Sequence, residues 1–467
     1  MTIIEQHHAR VRSVQEQMRS FYARKQQVKI YHGTTNSTRA QKFDREKCID
    51  VSQLNQVVEI HTKEGYALVE PNVPMDLLVA ETLRCGLVPP VVPEFPGITV
   101  GGAVQGGAEE SSSFKWGLFH DTCLEYEIVL GDGTVVSASR DERKDLFFGT
   151  ACSYGSLGVI TLVKLRLIPA KKFVRLTYHA VRSFSEAVEL IREKATEEVQ
   201  FIDGIMFSKS FGVVITGNFS DTEKLPVATF HKSADEWFYL HAHAMAQKDV
   251  PREELIPVRE YVFRYDRGAF WMGRFGFSIL RIPFNRLTRF LMNGICSTRT
   301  LYRLFHETHL SQKYFVQDFN LPSRNTAAFL EYADLKTAIY PLWICPLKPG
   351  REDRLSANCI ETDLVFNIGV WGEADKGFDD FVALNKNLER KVAELGGRKM
   401  LYAHAYYARD EFWNIYDSAW YNSLRRTYGA ETVFPDVYEK TKVSERYKPS
   451  ILAGIWNALR FPKLRFS

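Results

Sequence analysis

Apolar residues at Val11, Val14, Met18 and Phe21 fall three and four positions apart, with charge between them. That period predicts a helix over 4–26 with one face against the body of the protein. The pattern then shortens. Residues 28–31 alternate and run into a turn of small polar residues, His32-Gly33-Thr34-Thr35-Asn36-Ser37-Thr38. Residues 57–60 and 66–69 read as strands around Lys63-Glu64-Gly65, and 75–85 as a short helix. Residues 123–136 spell strand, Asp-Gly turn, strand, the turn being Gly131-Asp132-Gly133-Thr134. A long strand is predicted over 159–168, directly after Gly155-Ser156-Leu157-Gly158.

Beyond 170, Val174, Leu176 and Tyr178 alternate with polar residues. Ser183 and Glu186 stand as a capping box for a helix reaching about 198. Strands are predicted at 201–207, 213–219, 338–347, 364–370 and 399–407, with helices at 379–395 and 410–427. Together these imply an α+β cap, one antiparallel sheet with helices on one face. Aromatics crowd 236–335, among them Trp237, Phe238, Phe270, Trp271 and Phe275. They suit either an apolar cavity for a bulky lipid-like molecule or an aromatic core. Residues 440–467 hold seven Lys/Arg against one Glu, and a stripe of Ile451, Leu452, Ile455, Trp456 and Leu459. Such a basic amphipathic tail suits a membrane interface, with docking on the body as the other reading. The divisions expected are an N-terminal helix at 1–26, a strand-rich domain at 27–170, the cap at 171–439 and the tail at 440–467.

Composition narrows the class. The 467 residues suffice for two or three domains. A net charge of +4 with no basic arm gives no support to a nucleic-acid partner. The seven cysteines are dispersed and read as free thiols in a reducing compartment. No histidine cluster is completed by further ligands, so no metal site is expected. The start, MTIIEQHHARVRS, has no secretory h-region. No uncharged apolar run reaches the ~18 residues of a spanning helix. The expected location is cytoplasmic, or peripheral on an intracellular membrane such as the endoplasmic reticulum.

The stretch richest in candidate chemistry is PEFPGITVGGAVQGGAEESSSFKWG, residues 93–117. Its glycine pairs permit close approach to the backbone, and successive N–H groups in such a turn can cradle an anion. Serine hydroxyls add donors. It is neither a Walker loop nor a G-x-G-x-x-G fingerprint. With 32–38, it makes two donor-rich loops that can converge on one diphosphate.

These residues carry a resemblance. TVGGAVQGGAEESSSFKWGLF, EYEIVLGDGTVV and YGSLGVIT are similar to the FAD-binding domain of the vanillyl-alcohol-oxidase/p-cresol-methylhydroxylase flavoproteins. More narrowly the chain resembles the 24-dehydrocholesterol reductase (Diminuto-type) branch. Val316-Gln317-Asp318, Tyr340-Pro341, Leu401-Tyr402-Ala403, Glu411-Phe412-Trp413 and Phe434-Pro435 carry the likeness on, so that it covers roughly 25–440. The resemblance implies a two-lobed FAD-binding domain. Its pyrophosphate would meet the 99–113 loop, with Thr99, Val100, Gly101, Gly102, Ala103, Gly106, Gly107, Ser111, Ser112 and Ser113, and Gly117 after it; Glu110 would orient the loop or the isoalloxazine, or cap the turn. His32, Gly33, Thr34, Thr35, Asn36, Ser37 and Thr38 would close the other side. Gly155, Ser156, Gly158, Val159 and Ile160 would lie near the adenine and ribose. Relatives that bind flavin covalently place a histidine after the first-loop glycine. Here Thr34 and Thr35 follow Gly33, so noncovalent FAD is expected.

The implied reaction reduces a carbon–carbon double bond in a sterol or terpenoid side chain, with NADPH as reductant. Flavin N5 supplies hydride, and a cap residue must supply the proton. On a strand at 399–407, Tyr402, His404 and Tyr406 would share one face. Tyr402 and His404 are the candidates for donor or orienting group, with Asp318 as partner. The branch tends to hold an acid where His404 stands. An FAD-dependent oxidase or dehydrogenase of an alcohol or hydroxy acid is the rival, and a non-enzymatic lipid-binding protein on a decayed flavoprotein scaffold is a third reading.

Overall fold

The structure is a computed structural model that describes residues 2–33, 37–39, 43–248, 252–374, 377–443 and 445–460. Thr34, Thr35 and Asn36 of the first loop lie outside the described residues, as do 461–467 of the tail and the side chain of Leu459.

The opening helix spans Ile3–Ala23 and starts on a capping box made by Thr2 and Glu5. Its predicted stripe, Val11, Val14, Met18 and Phe21, is buried, and so is His7. His7 sits between two carboxylates, with Nδ1 2.9 Å from Glu70 and Nε2 3.3 Å from Glu127. Burial opposes its charge, but hydrogen bonds to Glu127 and Glu70 hold its pKa up at about 9. A parallel pair, Lys29–Tyr31 with Cys48–Asp50, follows. Next comes a five-stranded antiparallel sheet. Its spatial order is Val57–His61, Tyr66–Val69, Val159–Arg166, Cys123–Val129, Val135–Ser139. Gly133, at φ +85°, makes the Asp-Gly turn that joins the last two in sequence.

The cap is one eight-stranded antiparallel sheet. Helices Phe184–Lys194, Ser323–Thr337 and Phe378–Glu394 cover one face. Strand alternation separates the two faces. Ile344, Ile368, Phe315 and Phe319 pack under those helices. Trp343, Cys345, Trp371 and Val316 turn the other way, into the large core shared with the N-terminal half. Asp203 pins that side, its Oδ2 accepting from Arg264 Nη2 at 3.0 Å, Tyr265 OH at 2.8 Å and Trp343 Nε1 at 3.2 Å.

Two expectations are corrected. The strand at 399–407 ends almost at once: only Arg398–Lys399 pair, with Asn320 and Phe319. The chain then turns, because the Arg39 guanidinium takes the carbonyls of Leu401 and Ala403 (2.9 Å to the latter), and beyond it an isolated bridge joins Ala405 to Lys442. The helix at 410–427 is two helices, Arg409–Ile415 and Ser418–Thr427. Tyr416 is extended, and Asp417 caps the second helix by accepting from Trp420 N at 2.9 Å. This segment lies against the N-terminal half: Tyr421 OH and Ser156 Oγ are 2.6 Å apart, and Val28 N donates to Val433 O at 2.8 Å.

Candidate functional site

A cavity of about 800 Å³ opens between the two halves. That size is usual for a cofactor or substrate site, roughly 300–1,000 Å³. Both donor-rich loops reach it. One wall carries His32, Ser37, Thr38 and Arg39, and another runs through Thr99, Gly102, Ala103 and Gly106–Glu109.

The glycine stretch is not the open loop its composition suggests. Val100–Gly106 is a short helix, capped by Thr99, whose Oγ1 accepts from Gly102 N at 3.2 Å. Val100 and Gly101 donate to Val73 O and Pro71 O. Amides 100–102 are thus spent inside the protein. The two glycine pairs do different work. A Cβ at Gly101 would stand 2.7 Å from Pro71 Cβ, so this glycine permits close packing. A Cβ at Gly106 would meet only the Tyr154 ring, at 3.9 Å, and would point into free space. Gly107, at φ +73°, then reverses the chain. Among the described residues no group accepts from the Gly107 or Ala108 amide.

The three serines face away from the cavity. Ser111 Oγ donates to Glu110 Oε2 at 2.7 Å, Ser112 Oγ contacts Glu110 Oε1 and Pro90 O, and Ser113 Oγ accepts from Glu110 N at 3.0 Å. Glu110 is buried and anchors this turn; burial raises its pKa against those serine bonds. Gly117, at φ +81°, is pressed on Asp121. The 155–160 turn is likewise packed. Ser156 is bonded to Tyr421, Gly155 abuts Ile30 and gives its carbonyl to Lys440 Nζ at 3.0 Å, and only Tyr154 beside it lines the cavity. Val159 and Ile160 are core, and Gly158 has Ile128 and Val129 against it.

Basic and neutral donors also line the cavity. Lys440 lines the cavity, and burial pushes its pKa down to about 7. Burial also lowers Arg39 and takes His32 to about 4, so that imidazole is neutral. The cap end holds Asp318, Trp343, Trp371 and Tyr402, with Phe270 and Tyr302 beside them. Asp318 Oδ2 accepts from Tyr402 OH and, at 3.4 Å, from Trp371 Nε1, while Oδ1 has no partner. Burial lifts Asp318 to about 7, although the Tyr402 and Trp371 bonds pull it down. Glu109 is raised well above the carboxylate range, first by burial and then by the charge of Asp318.

His404 does not join them. It is buried outside the cavity lining, its ring 6.1 Å from that of Tyr406, and its Nε2 has no partner. Burial, then the charges of Arg39 and Lys399, push its pKa well below the usual value, which favours the neutral ring over the imidazolium. Its carbonyl accepts from Gln317 Nε2 at 3.1 Å.

A family profile described as an FAD binding domain matches residues 9–139. Delta(24)-sterol reductase of Mus musculus is 30% identical over 94% of this chain and 87% of its own length. The homolog from Caenorhabditis elegans is 28% identical over 84% of this chain and 78% of its own. The Pisum sativum reductase is 28% identical over 92% and 81%.

The chain belongs to the delta(24)-sterol reductase family. With the family known, the fit of FAD can be tested on the cavity itself. Four buried polar atoms on lining residues have no partner among the described residues: Thr38 Oγ1, Arg39 Nε, Glu94 Oε1 and Asp318 Oδ1. The first two are donors, as an anionic linker requires; Thr38 N also donates to Tyr402 O at 3.1 Å, so the first loop lies against the residue that bonds Asp318. Gly106 leaves open the space a side chain would fill. The residues present fit the cofactor. Arg39, Glu94, Glu109, Trp371 and Lys440 are cavity residues that sequence reasoning did not single out. For Glu109 a signal existed, since it directly precedes Glu110 after the glycines, but one residue decides which carboxylate faces the cavity. Asp318 and Trp371 lie opposite neighbouring strands in the sheet, and no local spacing reveals that.

A separate polar grouping lies behind the glycine wall. His120 Nε2 is 2.9 Å from Asp353 and 3.8 Å from Asp121. It ties the Gly117 turn to the loop after the cap strand Leu342–Leu347. Among the described residues these three, and His231, Asp235 and Glu260, are the groups close enough for a common metal ion; each has an ion-pair reading that suffices.

Proposed function

We propose that this protein is an FAD-dependent enzyme that reduces a carbon–carbon double bond in the side chain of a sterol-like lipid, with NADPH as the reductant. The observation that carries the reading is one continuous cavity. A glycine wall and buried donors suited to a dinucleotide share it with aromatic side chains and a buried acid. FAD, when bound, supplies hydride transfer at N5. Gly106 to Ala108, Thr38, Arg39 and Lys440 would hold its anionic linker. The absence of a histidine at 34 and 35 supports noncovalent attachment.

Reduction of an isolated alkene puts hydride on one carbon and a proton on its neighbour. Asp318 and Tyr402 are proposed as the proton source. An acid with a pKa near 7 is matched to neutral pH, where it both holds a proton and can part with it. Glu109, kept neutral beside it, is suited to restore that proton. The carbon that receives hydride becomes electron-poor on the way, and the faces of Trp371, Trp343 and Phe270 suit that charge. His404 is left as a packing residue.

The test is anaerobic. The purified protein should carry flavin that acid precipitation releases. NADPH should bleach it, and a sterol with a side-chain double bond should restore its colour, with the saturated sterol as product. Rapid recovery with oxygen or turnover of an alcohol, and none with the alkene, would favour an oxidase instead. Absence of any flavin after reconstitution would favour the lipid-binding reading.

A further inference from the structure

The rim of the cavity carries surface that neither flavin binding nor proton transfer needs. Helix Thr298–Glu307 forms one wall, giving Leu301, Leu304 and Phe305 to the cavity. Helix Ile451–Arg460 packs against it and gives Ile451 and Ile455 to the cavity. Ser450 N donates to Thr308 O at 2.9 Å, and a Cβ at Gly454 would stand 2.5 Å from Glu307 O, so the two helices meet backbone to backbone. Leu280 and Ile451 are both cavity-lining and exposed, at 43% and 40%, and therefore mark its mouth.

Exposed apolar side chains concentrate in the two segments that supply these residues. Thirteen large ones are exposed among the described residues, and seven fall in 280–291 and 451–456. Beyond the two at the mouth they are Leu287, Phe290 and Leu291 on or beside helix Arg286–Leu291, and Leu452 and Trp456 on helix Ile451–Arg460. Leu452 is 86% exposed and Leu291 70%.

The charge pattern says what covers this face. From Arg267 to His306 there are seven arginines and no aspartate or glutamate. Arg299 is paired with Asp76, and Arg289 with Glu236. Arg281 and Arg286 are exposed beside the leucines, and neither forms an ion pair among the described residues. Residues 446–460 also hold cations and no acid. Glu236, Glu307 and Glu445 border these segments, but within them the charges are all positive; leucine, phenylalanine and tryptophan among cations complement an anionic bilayer, the apolar groups entering the acyl boundary and the arginines meeting headgroups.

We propose that the face built from 280–291 and helix Ile451–Arg460 docks on an anionic lipid bilayer, setting the cavity mouth in the membrane so that a lipid substrate enters without crossing water. The entry route rests on the proposed reading of the cavity; the docking does not.

The test is co-sedimentation of the full-length, FAD-loaded protein with phosphatidylcholine vesicles, with or without added phosphatidylserine. Binding should rise with phosphatidylserine and fall with salt. Leu287→Asp/Leu291→Asp and Leu452→Asp/Trp456→Asp should each weaken it at least about tenfold. Arg281→Glu/Arg286→Glu should remove the preference for phosphatidylserine, at roughly fivefold per arginine, and leave binding to the neutral vesicles unchanged. Each variant should keep its flavin and its turnover of detergent-dispersed sterol. Wild-type protein that stays in the supernatant with both vesicles overturns the proposal. So do variants that all sediment like wild type, or a wild-type dimer that the leucine variants dissociate, which would assign the face to a second copy. Vesicle binding without sterol turnover would sustain the docking and sink the functional reading alone.

Discussion

Replacing Asp318 by Asn removes the one titratable group of the cavity's cap end whose pKa stands at about 7. The amide keeps the shape and can still accept from Tyr402, but it cannot deliver a proton. An acid at pKa 7 is about nine-tenths protonated at pH 6 and about one-tenth at pH 8, so a step that needs the acid form slows about tenfold across that range. General acids contribute roughly 10²–10⁴ in rate, or about 3–5 kcal/mol at about 1.4 kcal/mol per decade. Asp318→Asn is therefore expected to slow alkene reduction by that factor. Reduction of the flavin by NADPH needs no such acid and should change by less than about threefold on the same argument. The assay separates the two halves: pre-reduced enzyme is mixed anaerobically with the sterol in a stopped-flow instrument, and recovery of the flavin absorbance is followed from pH 5.5 to 9. Wild type should show a rate that falls as pH climbs through about 7, and the variant a slow, flat profile. If Asp318→Asn recovers within about threefold of wild type, or keeps the same pH limb, Asp318 is not the donor. Glu109→Gln made in parallel shows whether its neighbour holds that role.

Gly106→Leu should fold and purify without flavin, because its side chain would project into the cavity where a Cβ meets nothing closer than 3.9 Å; retained cofactor would remove the glycine wall from the binding site. Asp203→Ala should destabilise the holoenzyme by about 3–5 kcal/mol, since it leaves Arg264 buried and unpaired; a loss under about 1 kcal/mol in urea unfolding would contradict that. His7 has a folded pKa raised to about 9, so its stabilising charge is complete below 6.5 and is lost as pH rises through about 9. Thermal unfolding of wild type should therefore weaken over that window relative to His7→Gln, and parallel curves would refute the assignment.

Periodicity alone settled the parts in which each element meets the body through its own side chains. The stripe of Val11, Val14, Met18 and Phe21 could bury itself only as a helix, and Asp132-Gly133 could join two alternating runs only by a tight turn. The ordered motifs also carried the family, since they need no partner to be recognised. What only the tertiary structure decided was where each polar group spends its hydrogen bonds. Residues 399–407 alternate well enough for a strand, yet Arg39, hundreds of residues earlier, takes two of their carbonyls and bends them into a turn. That turn brings Tyr402 to Asp318 and leaves His404 sealed in the core. The serines after the glycines look like phosphate ligands by type, but Glu110 has claimed all three. Local spacing specifies which conformations a segment can adopt; the choice among donors and acceptors in a buried cavity depends on neighbours that are distant in sequence, and a chain read in one dimension does not contain their positions.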